Sequence, residues 1–507
     1  MLLANNHENF TSFIPRDATS LVVVASSLAF IYFATTVIYN IYFHPLRHFP
    51  GPKLYAASRL PYAIDLLRGT LVKRITELHN KYGEVIRIAP EELSFTSADT
   101  AWQDVYGFRG SKKPEMQKDR KWYNTAPNGV TSIIESNRDD HSRQRRAYSH
   151  AFSDRALREQ EPLIQKYIHL LLQRLTEHAT QGNIVDLVQY YNYTTFDIIG
   201  DLAFNEPFGC LENDKYHDLV QGVFATLRGF ALKTALAYYD VLRLLVYTLN
   251  PSGAQKGPIE FFKFTKDRVR KRLGTETARP DITSYVSDQV ESGNISVDEL
   301  DSNALLLLIA GSETTATVLS GTTYLLLKHP EVMKKVVREV RDHFKSKEEI
   351  TSESVNRLPY LVAVLNEGMR MYPPVPTGFP RIVPEGGSTV SGYYVPEKTS
   401  LYVTQWATYH SERNFTKPES FIPERWLESQ SGFEKDRKAA FSPFSFGPRA
   451  CLGKNLAYME SRVILAQVLF NFDIELIDEK MDWMDQRCFV LWEKPDLRVR
   501  LRPVAVN

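Results

Sequence analysis

Hydrophobic and polar positions follow a helical period over most of the chain. Apolar residues recur every three to four positions in LVKRITELHNKYG (residues 71–83), QEPLIQKYIHLLLQRLTEHATQG (residues 160–182) and EVMKKVVREVRDHFK (residues 331–345). This spacing places the apolar side chains on one face of a helix. The first pattern stops at Gly83 and the third begins after Pro330, and both are typical helix-end residues. We therefore expect amphipathic helices in all three stretches.

Shorter stretches alternate between apolar and polar residues instead. EVIRIAP (84–90), STVSGYYVP (388–396) and SLYVTQW (400–406) have the two-residue period of half-buried strands. They are few and short compared with the helical stretches. The pattern predicts a fold that is mainly α with a small β-sheet region.

One apolar run differs from the amphipathic helices. Residues 18–43, ATSLVVVASSLAFIYFATTVIYNIYF, contain no charged residue, and about 26 residues suffice for one membrane-spanning helix. We interpret this run as a retained anchor, with a cleaved signal peptide as the alternative. Basic residues follow it, at Arg47, Lys53, Arg59 and Arg68, and predict a domain that faces the cytosol.

The anchor divides the chain into four predicted segments. Residues 1–17 form a short lumenal N-terminus, and residues 18–43 form the transmembrane anchor. Residues 44–52, HPLRHFPGP, contain three prolines, which predict a stiff, extended hinge. Residues 53–507 form one large domain.

Composition argues against several classes of partner and site. Lys and Arg number 61 and Asp and Glu number 60, a formal net charge of +1, so nothing predicts a nucleic acid or another polyanion as partner. The cysteines Cys210, Cys451 and Cys488 lie far apart along the chain. This spacing supports neither a disulfide framework nor a paired-cysteine metal site.

One cysteine stands in an unusual setting, the stretch FSPFSFGPRACLGKN (residues 441–455). Its pattern is F-x-x-G-x-R-x-C-x-G, formed by Phe444, Gly447, Arg449, Cys451 and Gly453. Average residue usage gives this pattern a chance expectation on the order of 1 in 10,000 for such a chain. An inert buried cysteine is the alternative. The glycines, however, let backbone N–H groups approach the sulfur, and such donors stabilise a thiolate.

A lone thiolate restricts the possible metal sites. Zinc and iron-sulfur sites need several Cys or His ligands, and no other stands near Cys451 in sequence. One thiolate can be the sole protein ligand of a haem iron. Arg449 would then pair with a haem propionate.

The stretch resembles the haem-binding loop of the cytochrome P450 haem-thiolate monooxygenases, and the resemblance covers nearly the whole chain. It implies the cytochrome P450 fold and haem b with Cys451 as axial ligand of the iron. It also implies O2 as co-substrate and electrons from NADPH through a separate reductase, with cytochrome b5 as an optional second donor. An anchored member of this kind is expected in the endoplasmic reticulum membrane.

The resemblance extends to an apolar helix, ALLLLIAGSETTATVLSGTTYLLL (residues 304–327). The family segment A-G-x-[DE]-T-[TS] is matched by Ala310, Gly311, Glu313, Thr314 and Thr315. It implies that Glu313 and Thr314 deliver protons to bound dioxygen, because a carboxylate beside a hydroxyl can form a proton relay. The alternative is that Glu313 lies on an exposed helix face.

A second family element is the E-x-x-R helix. This chain has the pattern five times, starting at residues 84, 135, 276, 367 and 434. Only Glu367 and Arg370 lie in an apolar helix that begins after a proline, where buried charges require pairing. The resemblance adds Arg425 as the third member of an ion-paired brace behind the haem loop.

Further propionate contacts are implied by two other stretches. DDHSRQRRAYSHAF resembles the family's W-x-x-x-R helix, with His141 in place of the tryptophan and Arg145 matched. Arg381 in GFPRIVP fits a third propionate position, with a solvated strand arginine as the alternative.

Substrate and electron-donor contacts are also implied by the resemblance. The expected pocket segments are Gly110–Ile134, Phe224–Tyr239, Asn303–Ile309, Val375–Phe379 and Phe489. Their apolar and aromatic character suits a hydrophobic small molecule, although the same residues can be ordinary core. A basic set is expected to dock an acidic electron donor, with solvated surface charge as the alternative. It comprises Arg143, Arg146, Lys435, Arg437, Lys438 and Lys454.

The sequence thus predicts a membrane-anchored haem-thiolate monooxygenase that inserts one oxygen atom into a hydrophobic small molecule. Its finer resemblance is to the fungal branch that includes the isotrichodermin hydroxylases, which implies secondary metabolism and a terpenoid or mycotoxin-like product. Two alternatives remain, a reductase-independent haem-thiolate isomerase or dehydratase and a non-catalytic membrane haem-binding protein. The presence of both Glu313 and Thr314 favours the monooxygenase.

Overall fold

The structure is a computed structural model of the 507-residue chain. It describes residues 18–110, 114–123, 125–216, 228–249, 256–275, 281–428 and 431–504. Within these ranges the fold is mainly α-helical with three small sheets, as the hydrophobic pattern predicts.

The helices of the described residues, in chain order, are α1 (Ala18–Ile38), α2 (Lys53–Ala57), α3 (Leu60–Arg68), α4 (Leu71–Tyr82), α5 (Ala101–Tyr106), α6 (Arg138–Ser149), α7 (Asp154–Thr180), α8 (Leu187–Phe204), α9 (Cys210–Asn213), α10 (228–236), α11 (Asp240–Leu249), α12 (Lys256–Leu273), α13 (Ile282–Glu291), α14 (Val297–Lys328), α15 (Pro330–His343), α16 (Pro359–Met371), α17 (Gln405–Tyr409) and α18 (Lys454–Asn471). Each of the three predicted amphipathic helices is present, as α4, α7 and α15.

The ends of these helices follow from local sequence. α4 ends at Gly83, whose φ of 106° lies in the region that favours glycine. α7 begins earlier than its apolar pattern, because the Ser153 side chain accepts a hydrogen bond from the Ala156 N–H and caps the helix. α15 begins with Pro330, which has no N–H to leave unsatisfied in the first turn.

The strands are β1 (Val85–Ala89), β2 (Glu92–Phe95), β3 (Gln117–Lys118), β4 (Ile184–Asp186), β5 (Arg381–Ile382), β6 (Ser388–Val390), β7 (Tyr393–Val395), β8 (Ser400–Val403), β9 (Phe472–Leu476) and β10 (Arg498–Pro503). The largest sheet has the order β1-β2-β8-β5-β3, in which only β2 and β8 are parallel. β4-β10-β9 and the β6-β7 hairpin form the other two sheets. All three stretches with alternating patterns contain strands.

The core is organised around α14, a helix of 32 residues. Its N-terminus has a reciprocal capping box between Ser296 and Glu299, which satisfies backbone N–H groups of the first turn. From Leu300 onward most of its side chains are buried, and it packs against α8, α12, α16 and α18. α8 is itself buried along almost its whole length. The middle of α14 is therefore held by helices on several sides.

Two described helices are long and apolar enough to cross a membrane, residues 19–43 and α14. α14 belongs to the core, whereas the side chains of α1 are exposed, with Leu28 at 63% and Phe30 at 71%. α1 continues as one π-helical turn to Phe43, so an uninterrupted helix spans the predicted anchor. A candidate anchor is thus present at the N-terminus.

The segment after the anchor differs from the extended hinge that its prolines predict. Residues 45–48 form turns, and Leu46 is fully buried in a cluster with Phe95 and Val403. The Arg87 guanidinium donates to the Asn40 carbonyl at 2.9 Å. The prediction of an extended exit was wrong, because Leu46 finds an apolar site on the domain and the chain turns to reach it.

Close helix packing around α14 yields a stability prediction. A Cβ atom at Gly321 would lie 2.2 Å from Cδ1 of the buried Tyr372 ring, so Gly321→Ala must displace that ring. We expect the free energy of unfolding to fall by about 1–3 kcal/mol in urea titrations followed by circular dichroism. Gly257→Ala is the control, since nothing lies within 4 Å of its Cβ position. Equal stability of the two variants would contradict the packing argument.

Candidate functional site

The Cys451 loop is closed by its own backbone and by the neighbouring helix α5. The Cys451 N–H donates to the Phe444 carbonyl at 2.8 Å. Gly447 has a φ of 74°, and a Cβ there would lie 2.1 Å from the Tyr106 carbonyl oxygen. Only glycine fits at this position. The Phe444 ring packs on Tyr458 of α18, with ring centroids 4.9 Å apart.

The Cys451 side chain lies in a recess rather than on the outer surface. It has solvent-accessible area although protein atoms surround it closely. This burial raises the pKa of the Cys451 thiol, while the Gly453 N–H and the positive charges of Arg145 and Lys454 oppose the rise. A bound metal ion would lower the pKa of the Cys451 thiol and so favour the thiolate.

A second accessible surface lies within the buried helix α14. Ala310 is exposed and Thr314 is half-buried, although Ser312 and Thr315 beside them are buried. Ala310 and Thr314 share one helix face, and the Thr314 hydroxyl donates to the Ala310 carbonyl at 2.7 Å. The middle of α14 therefore presents a small, accessible face inside the fold.

α14 and the helix that follows the Cys451 loop are joined by a buried hydrogen bond. The Thr315 hydroxyl bonds the carboxyl group of Glu460 on α18, which is 3% exposed. Burial raises the pKa of Glu460 from 4.5 to about 8, and this hydrogen bond opposes the rise. The contact brings the predicted relay helix and the Cys451 loop to the same part of the molecule.

Glu313 is fully buried, which excludes the exposed-face alternative. Its Oε2 lies 2.7 Å from Nζ of Lys494, a residue near the C-terminus that the sequence interpretation missed. Lys494 also donates to the Thr317 hydroxyl at 2.9 Å. Glu313 and Thr314 are neighbours in sequence, but their side chains have different partners on different faces of α14. The structure does not join them by a hydrogen bond.

The predicted ion-paired brace is assembled in full. Glu367 lies 2.8 Å from Nη2 of Arg370 and 3.1 Å from Nε of Arg425, and all three side chains are 0–1% exposed. Arg425 also pairs with the buried Asp436 at 2.5 Å, a fourth member that the sequence interpretation missed. The indole N–H of Trp426 donates to Glu367 at 2.9 Å. Every charge in the brace has a partner, as burial requires.

Two buried arginines share one carboxylate beside the loop, and a buried lysine lies near them. Glu115 lies 2.5 Å from Nε of Arg449 and 3.3 Å from Nη1 of Arg381. Lys118 is 8% exposed and donates to the Tyr123 hydroxyl at 3.0 Å. We call Glu115, Lys118, Arg381 and Arg449 the cationic cluster. Arg381 is 2% exposed, which excludes a solvated strand arginine.

Two residues of α6 lie next to the cationic cluster and the loop. Arg145 donates to the Ala450 carbonyl at 2.7 Å, directly before Cys451. His141 is 6% exposed, and burial, followed by the charges of Arg449 and Arg145, lowers its pKa to about 3. His141 is therefore a neutral imidazole at physiological pH. The helix brings both predicted residues to the site.

The cationic cluster has an excess of positive charge that suits an anionic ligand. Arg381 and Arg449 share the single carboxylate of Glu115, and Nε of Arg381 is buried without a hydrogen-bond acceptor. Burial and the neighbouring arginines lower the pKa of Lys118 well below its usual value. Added carboxylate groups would accept a hydrogen bond from Nε of Arg381 and would raise the pKa of Lys118 toward its usual value. The residues present thus fit a haem whose two propionates reach this cluster.

Comparison with known proteins extends these observations to the whole domain. The family model for Cytochrome P450 matches residues 54–499. The chain belongs to the cytochrome P450 family. Membership implies haem with a cysteine thiolate ligand, dioxygen, a redox partner and a small-molecule substrate.

Curated relatives of this P450 are similar over almost their full length. The chain is 44% identical to Cytochrome P450 monooxygenase lcsI of Purpureocillium lilacinum, over 99% of this chain and 98% of the relative. It is 44% identical to Cytochrome P450 monooxygenase astA of Talaromyces wortmannii, over 95% and 97%. It is 42% identical to Averantin hydroxylase of Dothistroma septosporum, over 92% and 89%. The protein is an oxidoreductase of the cytochrome P450 monooxygenase class.

The buried Glu460 yields a pH-dependent prediction. Its raised pKa means that the folded protein binds this proton more tightly than the unfolded chain does, so the contribution of Glu460 to stability declines between about pH 4.5 and pH 8. Glu460→Gln removes the titration. We expect the variant to gain stability relative to wild type, on the order of a few kcal/mol, as the pH rises through this window.

Urea titrations at several pH values measure this difference. Glu353→Gln is the matched control, because the Glu353 side chain is 87% exposed. A constant difference between Glu460→Gln and wild type from pH 5 to pH 8 would show that Glu460 is not protonated in the fold.

Proposed function

We propose that this protein is a membrane-anchored haem-thiolate monooxygenase that inserts one oxygen atom of O2 into a hydrophobic small molecule of fungal secondary metabolism. The observation that carries the proposal is the position of the cationic cluster beside the Cys451 loop. The excess positive charge suits propionates, and the loop supplies a cysteine in a recess. Hydroxylation, epoxidation and related oxidations all agree with this site.

Each residue near the loop has a defined role in this proposal. Cys451 would hold the haem iron through its thiolate, and the Gly453 N–H would stabilise the negative charge of that thiolate. Lys118, Arg381 and Arg449 would bind the propionates, while Arg145 holds the loop through the Ala450 carbonyl. The haem would supply the oxidising chemistry for dioxygen. His141, being neutral, accepts or donates a hydrogen bond without adding charge.

The accessible face of α14 supplies the proton path. The Thr314 hydroxyl lies beside Ala310 on this face and orients the last proton donor. Glu313 provides the proton after its side chain turns from Lys494 toward Thr314. Buried helices on the other sides of α14 exclude bulk water, so protons arrive mainly by this route.

Aromatic side chains support a hydrophobic substrate. Trp122 contacts Phe230 and Phe379 at ring-centroid distances of 5.4 and 6.0 Å, and these residues come from three of the predicted pocket segments. Phe489 packs in a cluster with Tyr62 and Tyr402. Residues 111–113, 124 and 224–227 of the predicted segments lie outside the described residues. The name of averantin hydroxylase suggests averantin as the first compound of a substrate panel.

An exposed apolar surface supports membrane contact beyond the anchor. On α11, Val241 and Leu244 are 75% and 64% exposed. Leu54 on α2 and Leu60 at the start of α3 are 73% and 54% exposed. The guanidinium of Arg59, directly before α3, stacks on the ring of Tyr238, two residues before α11, at 3.8 Å from the ring centroid. The beginning of α11 therefore lies next to α3. We place the protein in the endoplasmic reticulum membrane with its catalytic domain in the cytosol. Basic residues after the anchor support this orientation.

Electrons are proposed to come from NADPH through a separate reductase, with cytochrome b5 as an optional second donor. One residue, Arg143, is removed from the expected basic docking set. Arg143 is paired with Glu299 at 2.6 Å and with Asp140 at 3.0 Å, so its charge is already compensated. The remaining members, Arg146, Lys435, Arg437, Lys438 and Lys454, are all exposed. These five carry the proposed docking surface.

The first prediction concerns the axial ligand and the reaction class. The reduced, carbon monoxide-bound holoenzyme should have a Soret band at roughly 450 nm, and Cys451→Ser should lose it. In membranes with reductase, labelled dioxygen should transfer one labelled atom to the product, whereas labelled water should not.

Each outcome separates the candidate functions. A product formed without NADPH and without label would indicate an isomerase or dehydratase. A 450 nm band without substrate-dependent NADPH oxidation across a broad panel would favour a non-catalytic haem protein. A Cys451→Ser variant with an unchanged band would refute the assignment of the ligand.

The second prediction concerns the electron donor. Lys454→Glu and Lys438→Glu should each slow reduction by the reductase several-fold at low ionic strength, because complementary charge accelerates association. Lys398→Glu is the control, since Lys398 is 88% exposed and stands outside the set. Stopped-flow spectroscopy measures the rate, and an unchanged carbon monoxide spectrum verifies the haem site. Equal rates in all three variants would exclude this docking surface.

A further inference from the structure

The last turn of the anchor helix is attached to the domain by buried hydrogen bonds. The side-chain amide of Asn40 donates to the carbonyl of Ala57 on α2 at 2.9 Å, and Asn40 is 8% exposed. The guanidinium of Arg87 on β1 donates to the Asn40 carbonyl at 2.9 Å and to the Pro90 carbonyl at 2.7 Å. These contacts fix the end of the anchor against α2 and β1.

Arg87 makes this attachment costly to break. It is 2% exposed, and among the described residues no carboxylate forms a salt bridge with it. Burial lowers the pKa of Arg87 to about 10, so its guanidinium stays charged at neutral pH. The carbonyl of Asn40 lies at the C-terminal end of the anchor helix, where the helix dipole is negative and compensates a cation. The anchor and the domain therefore hold a fixed relative position.

This attachment leaves a groove between the anchor and the domain, which we call the anchor groove. Its volume is about 540 Å³, within the roughly 300–1,000 Å³ of small-molecule sites. The anchor contributes Phe33 and Val37 to its walls, and α2 and α3 contribute Leu54, Leu60 and Ile64. Val37 is half-buried and the other four side chains are exposed. The walls thus present apolar surface that no described residue covers.

One end of the anchor groove is polar. Tyr55 is 5% exposed, and its hydroxyl donates to the carboxylate of Asp65. A carboxylate accepts at about four sites, and among the described residues Tyr55 and Thr70 occupy two sites of Asp65. Arg74 also lines this end, but it is paired with Glu77 at 2.6 Å. Two carboxylates beside one guanidinium disfavour a phosphate group and suit a neutral hydroxyl donor.

The position of the anchor groove determines the source of its ligand. Phe33 and Val37 lie about 15 and 9 Å before the end of the anchor at Phe43, at a rise of about 1.5 Å per residue. Both therefore lie at the depth of the bilayer, and the ligand comes from the lipid phase. A large apolar body with one hydroxyl group is the structure of a sterol. Its rigid rings lose less conformational freedom on binding than a flexible acyl chain does.

We propose that the anchor groove binds one membrane sterol, whose hydroxyl group donates to the Asp65 carboxylate and whose rings lie between the anchor and α3. The inference rests on the membrane anchoring in the proposed function. A bound sterol buries the apolar walls of the groove and gives the hydroxyl a charged acceptor. The site lies outside the haem site, so the sterol is a ligand of the anchored enzyme and not its substrate.

Photo-crosslinking tests the site in the full-length holoenzyme in phosphatidylcholine nanodiscs. The probe is a diazirine derivative of cholesterol, and mass spectrometry identifies the labelled peptides. Label should concentrate in residues 33–37 and 54–65. Excess cholesterol should suppress it. The methyl ether of cholesterol has no hydroxyl donor, so it should compete roughly five- to tenfold less well, as expected for one lost hydrogen bond.

Three variants complete the test. Leu60→Trp fills the groove from the α3 wall and should reduce labelling roughly fivefold. Leu28→Trp is the matched control, because Leu28 is 63% exposed on the anchor and does not line the groove. Asp65→Ala should abolish the difference between cholesterol and its methyl ether, and this comparison remains decisive if Leu60→Trp fails to fold. An unchanged carbon monoxide spectrum verifies the fold of each variant.

The outcomes separate this inference from the proposed function. Equal labelling of Leu60→Trp and Leu28→Trp, or label spread along the whole anchor, would indicate membrane contact only and overturn the inference. Equal competition by the methyl ether, or stronger competition by phosphatidic acid, would overturn it as well. Alkaline extraction of membranes tests the anchoring by itself. Release of the protein would refute the anchored location, whereas a retained protein without label in the groove would refute only the sterol site.

Discussion

The compensation of buried charge is the constraint on which the rest of this structure depends. Glu367 is fully buried, and its two oxygens accept five hydrogen bonds from four residues, Arg370, Arg425, Trp426 and Ile422. Breaking such a pair costs about 3–5 kcal/mol, a large part of the stability of a domain. Arg370 and Arg425 therefore fix residues 409–425 and Asp436 against α16, a short distance along the chain from the Cys451 loop.

The same rule explains the arrangement of charges around the proposed haem site. The brace is fully paired and has no capacity for a ligand. The cationic cluster, in contrast, has two arginines on one carboxylate and an unsatisfied Nε on Arg381. The fold thus places an excess of positive charge beside the cysteine. A structural role alone does not require such an excess, whereas binding of an anionic cofactor does.

α14 connects this site to the rest of the domain. Its middle presents Ala310 and Thr314 to an accessible face, while Glu313 pairs with Lys494 and Thr315 contacts Glu460 of α18. One helix can therefore serve the reaction on one side and bear its positioning contacts on another. Because helix faces repeat every 3.6 residues, adjacent residues in sequence point in different directions. That geometry separates Glu313 from Thr314 in spite of their adjacency.

The sequence by itself determined what depends on local pattern. Periodicity predicted α4, α7 and α15 and the strands between 84 and 406. Residue spacing identified the Cys451 loop, the family resemblance added the relay helix, and the apolar context selected Glu367 and Arg370 among five E-x-x-R matches. Tertiary structure decided which charges meet. Glu313 and Lys494 are 181 residues apart, and Glu115 and Arg449 are 334 residues apart. No periodicity links such partners, because the burial that makes their pairing obligatory exists only after the chain has folded. The compact turn at residues 45–48 has the same origin, since the prolines restrict the backbone but only the packed domain provides a site for Leu46.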